Sequence, residues 1–337
     1  MEIVVIPRIE NKGLWEQTLA KLPYRPVSYT NSSLDYQLAY QRGHGDSWEE
    51  CSLIIFWDNQ PASLWPLSIS TKDGRSSLTS QGLPVLPPIF VSECAYGSRK
   101  RMIKACLDAA GRIASDIKID SWESGEPFSN SMGISEWHAE SLSRGASCQL
   151  HYDLYLDLCP DLTEIRKNFR KSYKPLISSG LTLWSVGILD EGDKTIWQEF
   201  RDLHLRVSGR VTRSEESWNL QFQEIENQSA FLIWLRNTSG ALVGGGFFNF
   251  TLDEGVYAVG VYDRSLFDKP LGHVVQFRAI TEMKDRGVHW YKIGARYFRQ
   301  ESPSPTEKEI KISEFKQGFA SHVFPYYRIT HPAFSQS

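Results

Sequence analysis

A chain of 337 residues, 41% hydrophobic and 23% charged, has the balance of a globular protein and is long enough for two domains with separate cores. A formal net charge of −3 excludes a global pull toward nucleic acid and leaves DNA out as an expected partner, although local basic patches stay open. Five scattered cysteines without a C-x-x-C pair fit reduced thiols in a cytoplasmic protein rather than a disulfide framework, and no apolar run is long enough to span a bilayer.

The opening MEIVVIPRIE has an acidic second residue and a short apolar run. It reads as a first strand over Ile3–Ile6 rather than as a signal peptide. Leu14–Leu22 is a short helix ending before Pro23, Ser33–Tyr40 a second helix capped by Ser32 or Ser33, and Gly43–Asp46 a loop. Ser52–Trp57 and Ser63–Ser70 form a hairpin around Asp58-Asn59-Gln60-Pro61. Gly82–Pro88 is barred from regular structure and fits both a crossing loop and a rigid lip of a cleft. Ser98–Ile113 is a helix with Arg99, Lys100, Arg101 and Lys104 on a solvated basic face. A strand at Ile117–Trp122, a helix at Ile134–Ser143 and an alternating strand at Ser147–Leu158 follow. A boundary near Arg144 gives two domains, 1–145 and 146–337.

The second half opens on a predicted helix, Leu162–Ser178, bearing Arg166, Lys167, Arg170, Lys171 and Lys174, which Pro175 kinks or ends. Its charges fit phosphates of a nucleotide or tRNA and fit a solvated face equally. Gly180 closes the segment and Leu181–Val186 is a strand. The amphipathic helix Lys194–Val207 runs into a loop with Arg210 and Arg213, followed by Trp218. Arginine forks pair bidentately with carboxylate or phosphate, so these three residues are candidates for substrate binding. The alternative is a surface loop with an ordinary cap at Ser214. Ser217–Glu226 is a helix, and Ala230–Arg236 pairs with Ala241–Phe250 through Asn237–Gly240. Val256–Tyr262 returns after a turn at Leu252–Gly255. Asp268-Lys269-Pro270 then opens a helix whose apolar face includes Leu271, Val274, Val275 and Ile280, with Gly287 at its C-terminal cap and a strand at Val288–Ile293. That strand–helix–strand crossover requires a parallel pair. The predicted class is mixed α/β, with central mixed sheets flanked by helices.

Several familiar sites are absent: G-x-S-x-G, G-x-G-x-x-G after a strand, a Walker loop and H-E-x-x-H. The eight histidines share no ligand spacing, so no metal is expected. Gly244-Gly245-Gly246 lies inside a strand and reads as a bulge or a close backbone approach.

Antiparallel strands feeding a strand–helix–strand unit whose parallel strands diverge resemble the acyltransfer half of the GNAT fold. The run Ile312–Ala320 (ISEFKQGFA) resembles more specifically the FemAB branch of tandem GNAT-like proteins, with Ala320 where that family usually has glycine. No Arg/Gln-x-x-Gly-x-Gly pyrophosphate loop is present, which also fits that branch.

The resemblance implies an N-acyltransferase acting on an amine of a cell-envelope precursor. Its acceptor would be a small-molecule or lipid-linked saccharide, with peripheral association at the membrane face. No tightly bound cofactor is implied; acyl-CoA or aminoacyl-tRNA would serve as co-substrate, with tRNA a partner in the second case. Lys316 would stand near the reacting groups beside Phe315, or else snorkel over apolar surface. Gly260, as a bulge freeing an amide, with Leu271 and Gly272 would meet the donor. Asp263 would accept the ammonium proton, or only cap a turn. Tyr257 and Tyr262 differ in parity, so a regular strand sends only one of them to the cleft. Lys308 and Lys311 would form a basic rim, or be solvated. Two rivals stand beside this reading. One is an aminoacyl-tRNA-dependent peptidoglycan bridge enzyme, whose charged helical hairpin has no counterpart here. The other is a GNAT-shaped protein that binds a glycan or a partner without catalysis.

Overall fold

The computed structural model describes residues 3–44, 47–126, 128–129 and 133–332, so Gly45 and Asp46 of the expected loop lie outside the described residues. The chain divides into two compact units, residues 1–151 with 325–337, and residues 152–324. The division falls inside two strands.

The first unit runs β1 (Ile3–Pro7), α1 (Lys12–Leu19), α2 (Asn31–Arg42), β2 (Ser47–Glu50), β3 (Leu53–Trp57), β4 (Gln60–Trp65), β5 (Ser68–Lys72), β6 (Arg75–Thr79), β7 (Ile89–Phe90), α3 (Tyr96–Asp116), β8 (Ser121–Ser124) and α4 (Glu136–Ser143). Strands β1-β3-β4-β7 form one antiparallel sheet and β2-β5-β6 another. The predicted hairpin forms, with Asp58 and Asn59 both at positive φ as a two-residue turn requires. The single strand expected over Ser63–Ser70 is two strands in two sheets. Pro66 lies at the break, where its missing N–H costs no ladder bond. The strand expected from Ile117 begins at Ser121, because α3 continues to Asp116 and Lys118 takes a positive φ. Trp15, Ile54, Leu64, Trp65, Met102 and Trp137 are buried in this unit's core.

The second unit begins within β9 (Ser147–Asp157) and continues with α5 (Leu162–Asn168), α6 (Tyr173–Leu183), β10 (Ser185–Leu189), α7 (Lys194–Ser208), α8 (Glu215–Glu226), β11 (Ala230–Arg236), β12 (Leu242–Phe250), β13 (Glu254–Tyr262), α9 (Leu271–Asp285), β14 (Trp290–Ala295), α10 (Glu307–Gln317) and the start of β15 (His322–Pro332). Its strands lie in the order β10-β11-β12-β13-β14-β9. The sheet is covered on both faces, which is why β11 and β12 are apolar almost throughout. Phe231, Ile233 and Phe248 point to one core with α6 and α9; Leu232 and Phe247 point to another with Trp197, Phe200 and Phe222.

The long helix expected over Leu162–Ser178 is instead two. Phe169 takes an extended conformation between them, and Pro175 sits in the first turn of α6, where a missing donor is tolerated. Gly180 is therefore inside α6, packed on Pro270 and Val274, rather than closing the segment.

Candidate active site

β13 and β14 are parallel neighbours only from Glu254 to Val256 opposite Trp290 to Lys292. Beyond that point β13 stays with β12, while β14 stays with β9 through Gly294 and Ala295. The two strands part, and among the described residues no strand pairs with that edge of β13 past Val256. The helix α9 makes the crossover between them, as the sequence required.

The register of β12 on β13 slips between Phe247 and Phe248, which face Val259 and Tyr257. The extra residue is Ala258, so the bulge expected at Gly260 falls two positions earlier, and Gly260 pairs regularly with Gly246. One inserted residue cancels the parity difference between Tyr257 and Tyr262. Their hydroxyls meet at 3.0 Å on one face, against the expectation that only one tyrosine would turn that way. A Cβ at Gly260 would overlap the Tyr257 hydroxyl, so glycine there lets the phenol cross the strand. Burial pushes the Tyr257 phenol up to about 12, with the bond to Tyr262 pulling the other way. Burial also lifts Tyr262 well above its ordinary value.

Lys316, near the end of α10, brings its ammonium to 5.5 Å from the centre of the Tyr257 ring. Gly294 lies beneath it: a Cβ there would come within 2.5 Å of Lys316 Nζ, and its φ of +134° is one that glycine alone adopts with ease. Burial holds the Lys316 pKa below its ordinary 10.5, with the charge of Asp153 opposing that shift. Asp153 is itself paired with Lys292 at 2.7 Å. Gly294, Lys292 and Asp153 went unnoticed in the sequence. The available signal was a glycine just after an apolar strand core, in Ile293-Gly294-Ala295.

The remaining predicted residues are placed as follows. Asp263 follows β13; its Oδ1 accepts from Ser265 N at 3.0 Å and Ser265 Oγ at 2.7 Å, and these bonds hold its carboxyl below the usual range. It caps the turn at Arg264–Leu266. Leu271 is buried in the core at the first position of α9, while Gly272 lies against Phe315 and the Tyr262 ring. Phe315 also packs on Tyr173 and His273. Burial, then the nearby Arg170, pushes His273 down to about 4. Lys308 and Lys311 are exposed on α10.

Trp218 is buried in the core with Trp197 and Phe200 rather than displayed on the surface. Arg213 stacks over it at 5.1 Å and donates to His204 Nε2 at 3.1 Å, with His204 pushed down to about 4 by burial and then by Arg213. Arg210 is exposed. Ser214 caps α8, as expected. The structure thus brings Tyr257, Tyr262, Gly260, Gly272, Phe315 and Lys316 around the parted strands of the second unit. Among the described residues, no group of three or more His, Cys, Asp or Glu side chains is arranged to hold a metal ion.

No family model matches the sequence, and no curated protein is significantly similar to it. Solved structures are similar in fold. FemX aligns with a TM-score of 0.68 at 12% identity, covering 97% of each chain. L-PGS from Bacillus licheniformis aligns at 0.59 and 12% identity, covering 97% of this chain and 93% of that one. A tandem GNAT protein from the clavulanic acid biosynthesis pathway aligns at 0.53 and 13% identity over 100% of both chains. The fold is the mixed α/β fold of tandem GNAT-like proteins, in agreement with the expected class.

Proposed function

We propose that this chain is a transferase that moves an acyl or aminoacyl group onto an amine, with the chemistry at the parted strands of the second unit. The observation that carries this reading is the half-buried Lys316 ammonium, held over Tyr257 beside the open edge of β13. Acyl transfer develops negative charge on the carbonyl oxygen, and a fixed cation with strand N–H groups meets that demand. The neutral amine attacks the carbonyl carbon, a C–N bond forms, and the donor's thioester or ester bond breaks. The amine's proton leaves with the departing thiolate or alkoxide. Tyr257, kept protonated by its raised pKa, is a donor suited to the same oxygen. Asp263 suits proton acceptance less well, because its hydrogen bonds already favour the ionised form and make it a weak base.

The donor fits beside Gly260 and Gly272, at the start of α9, where the amides of Gly272 and His273 have no helical acceptor. Leu271 contributes through the packing of that first turn. The similarity to FemX and to L-PGS supports aminoacyl transfer, and the tandem GNAT neighbour supports acyl-CoA. The acceptor we favour is a nucleotide- or lipid-linked amino sugar of the cell envelope, met in the cytoplasm, with Arg210 and Lys308 available to its anionic groups. The test is incubation with amino-sugar nucleotides and either a set of acyl-CoAs or charged tRNA, with products read by mass. An acylated amine supports the reading and identifies the donor. No product from either donor class would refute it.

A further inference from the structure

Lys316 carries the proposed chemistry, yet few of its own contacts hold it in place. Among the described residues, no hydrogen bond or ion pair reaches Lys316 Nζ; its neighbours are the Tyr257 ring and the bare Gly294. Burial works against the charge. The ammonium therefore depends on where its backbone is held, at the end of α10.

That end is gripped by the linker between α5 and α6. Arg170 donates its backbone N–H to Gly318 O at 2.8 Å and its Nη2 to Glu314 O at 2.7 Å. Its Nη1 donates to the Tyr173 hydroxyl at 3.1 Å, and that hydroxyl donates to Phe315 O at 3.1 Å. The carbonyls of Glu314, Phe315 and Gly318, which bracket Lys316, are thus held by two residues. Gly318 N–H turns to Phe315 O and Phe319 N–H to Lys316 O, so the last turn tightens and Glu314 O lacks its usual helical partner. A guanidinium there also meets the negative end of the helix dipole. The rings fit as closely: a Cβ at Gly318 would fall 2.1 Å from Tyr173 Cε2, and Phe319 packs on both Tyr173 and Phe169. Arg296, by contrast, reaches α10 through the side chains of Ser313 and Gln317 and bonds to none of these carbonyls.

Arg170 lies in the basic segment whose charges fit phosphates and a solvated face equally. Its Nη donors go instead to Tyr173 and α10. We infer that Arg170 and Tyr173 are positioning residues for the transfer: they fix the last turn of α10, and through it the direction in which Lys316 leaves the helix. The inference rests on the transferase reading for the reaction it serves.

The test follows Lys316 itself by nuclear magnetic resonance, in the full chain isotope-labelled at lysine Cε, with its signal assigned by its loss in Lys316→Arg. Tyr173→Phe removes both hydroxyl bonds and no charge, so a change it causes reports position rather than field. With Arg170→Gln added, Lys316 should titrate about one unit higher than in the wild type, as the ammonium swings toward water. Tyr173→Phe alone should move it the same way by less. Arg170→Lys keeps a donor within reach of Glu314 O and should stay close to wild type. In transfer assays the double variant should lose about tenfold in kcat with KM kept. A purely structural role predicts a lower melting temperature with the Lys316 titration unmoved, and that result would overturn the inference. So would a shifted titration with normal kcat. If the double variant does not fold, Tyr173→Phe decides alone, since it keeps the ring and Phe315 O still accepts from Gly318. A chain that turns over no donor still reports the titration, so failure of the transferase reading and failure of the positioning role are told apart.

Discussion

Lys316 and Arg213 each hold a cation against an aromatic ring, 5.5 Å from Tyr257 in one case and 5.1 Å from Trp218 in the other. Their surroundings differ in kind. Arg213 donates to His204 and covers a tryptophan that belongs to the core, so its contacts tie the loop before α8 back onto α7. Lys316 reaches past Phe315 to the bare backbone of Gly294 and a phenol at an open strand edge. Burial works against its charge, and Asp153, already paired with Lys292, opposes that only in part. The first arrangement strengthens the fold; the second places a charge where folding gains little from it. A cation over an aromatic ring therefore has no single meaning. What the rest of its surroundings do with the charge separates structure from chemistry.

The largest expected effect breaks the comparison on the Lys316 side. Lys316→Met keeps the apolar stem and removes the charge, and should lower kcat about a hundredfold, near 3 kcal/mol, with little change in melting temperature. A raised KM with kcat kept would instead assign Lys316 to phosphate binding, and unchanged kinetics would leave it a snorkelling side chain.

Gly294→Ala asks whether the backbone beneath Lys316 matters. A side chain at φ +134° is strained and crowds Nζ, so a stability loss of about 1–3 kcal/mol is expected, together with a fall in kcat. Normal turnover in the folded variant would show that Lys316 needs no such clearance.

On the other side of the comparison, Arg213→Ala should destabilise by about 1 kcal/mol through the lost stack and hydrogen bond. Arg210→Ala should leave the melting temperature nearly unchanged and raise the acceptor's KM. Equal kinetics in Arg210→Ala and wild type would make that side chain solvent-facing only.

A pH dependence is also expected. His204 and His273 fall from an ordinary 6.5 to about 4 in the folded chain, so both are neutral there at pH 7. The unfolded chain takes up their protons first, and stability should decline as pH falls from about 6.5 toward 4. His273→Asn should flatten that decline in thermal melts; an unchanged slope would remove His273 from the account.

Much of this fold was legible locally. The hairpin at Asp58 and Asn59, the crossover helix before Gly287 and the parallel pair it forces all rest on nearby residues and short-range rules. Pro175 misled because proline has opposite meanings at a helix end and in a first turn, and only the extended Phe169 decides between them. The bulge at Ala258 was invisible, since it is a property of two strands in register rather than of either alone. The same holds for the Asp153–Lys292 pair, which joins β9 to β14 across a long stretch of chain. Phe315 and Lys316 stood out as a motif, but the open edge and the Gly294 floor that give them meaning are tertiary facts.

The account's central claim is that the positive charge of Lys316 works on the transfer itself. Its most direct test is the alkaline limb of kcat against pH in the wild type and in Lys316→Arg. Burial lowers the Lys316 pKa, so wild-type kcat should fall at a pH below 10.5, as the ammonium loses its proton. Arginine keeps its charge through that range, so whatever turnover Lys316→Arg retains should show no such fall. Superimposable profiles for the two proteins would contradict the claim.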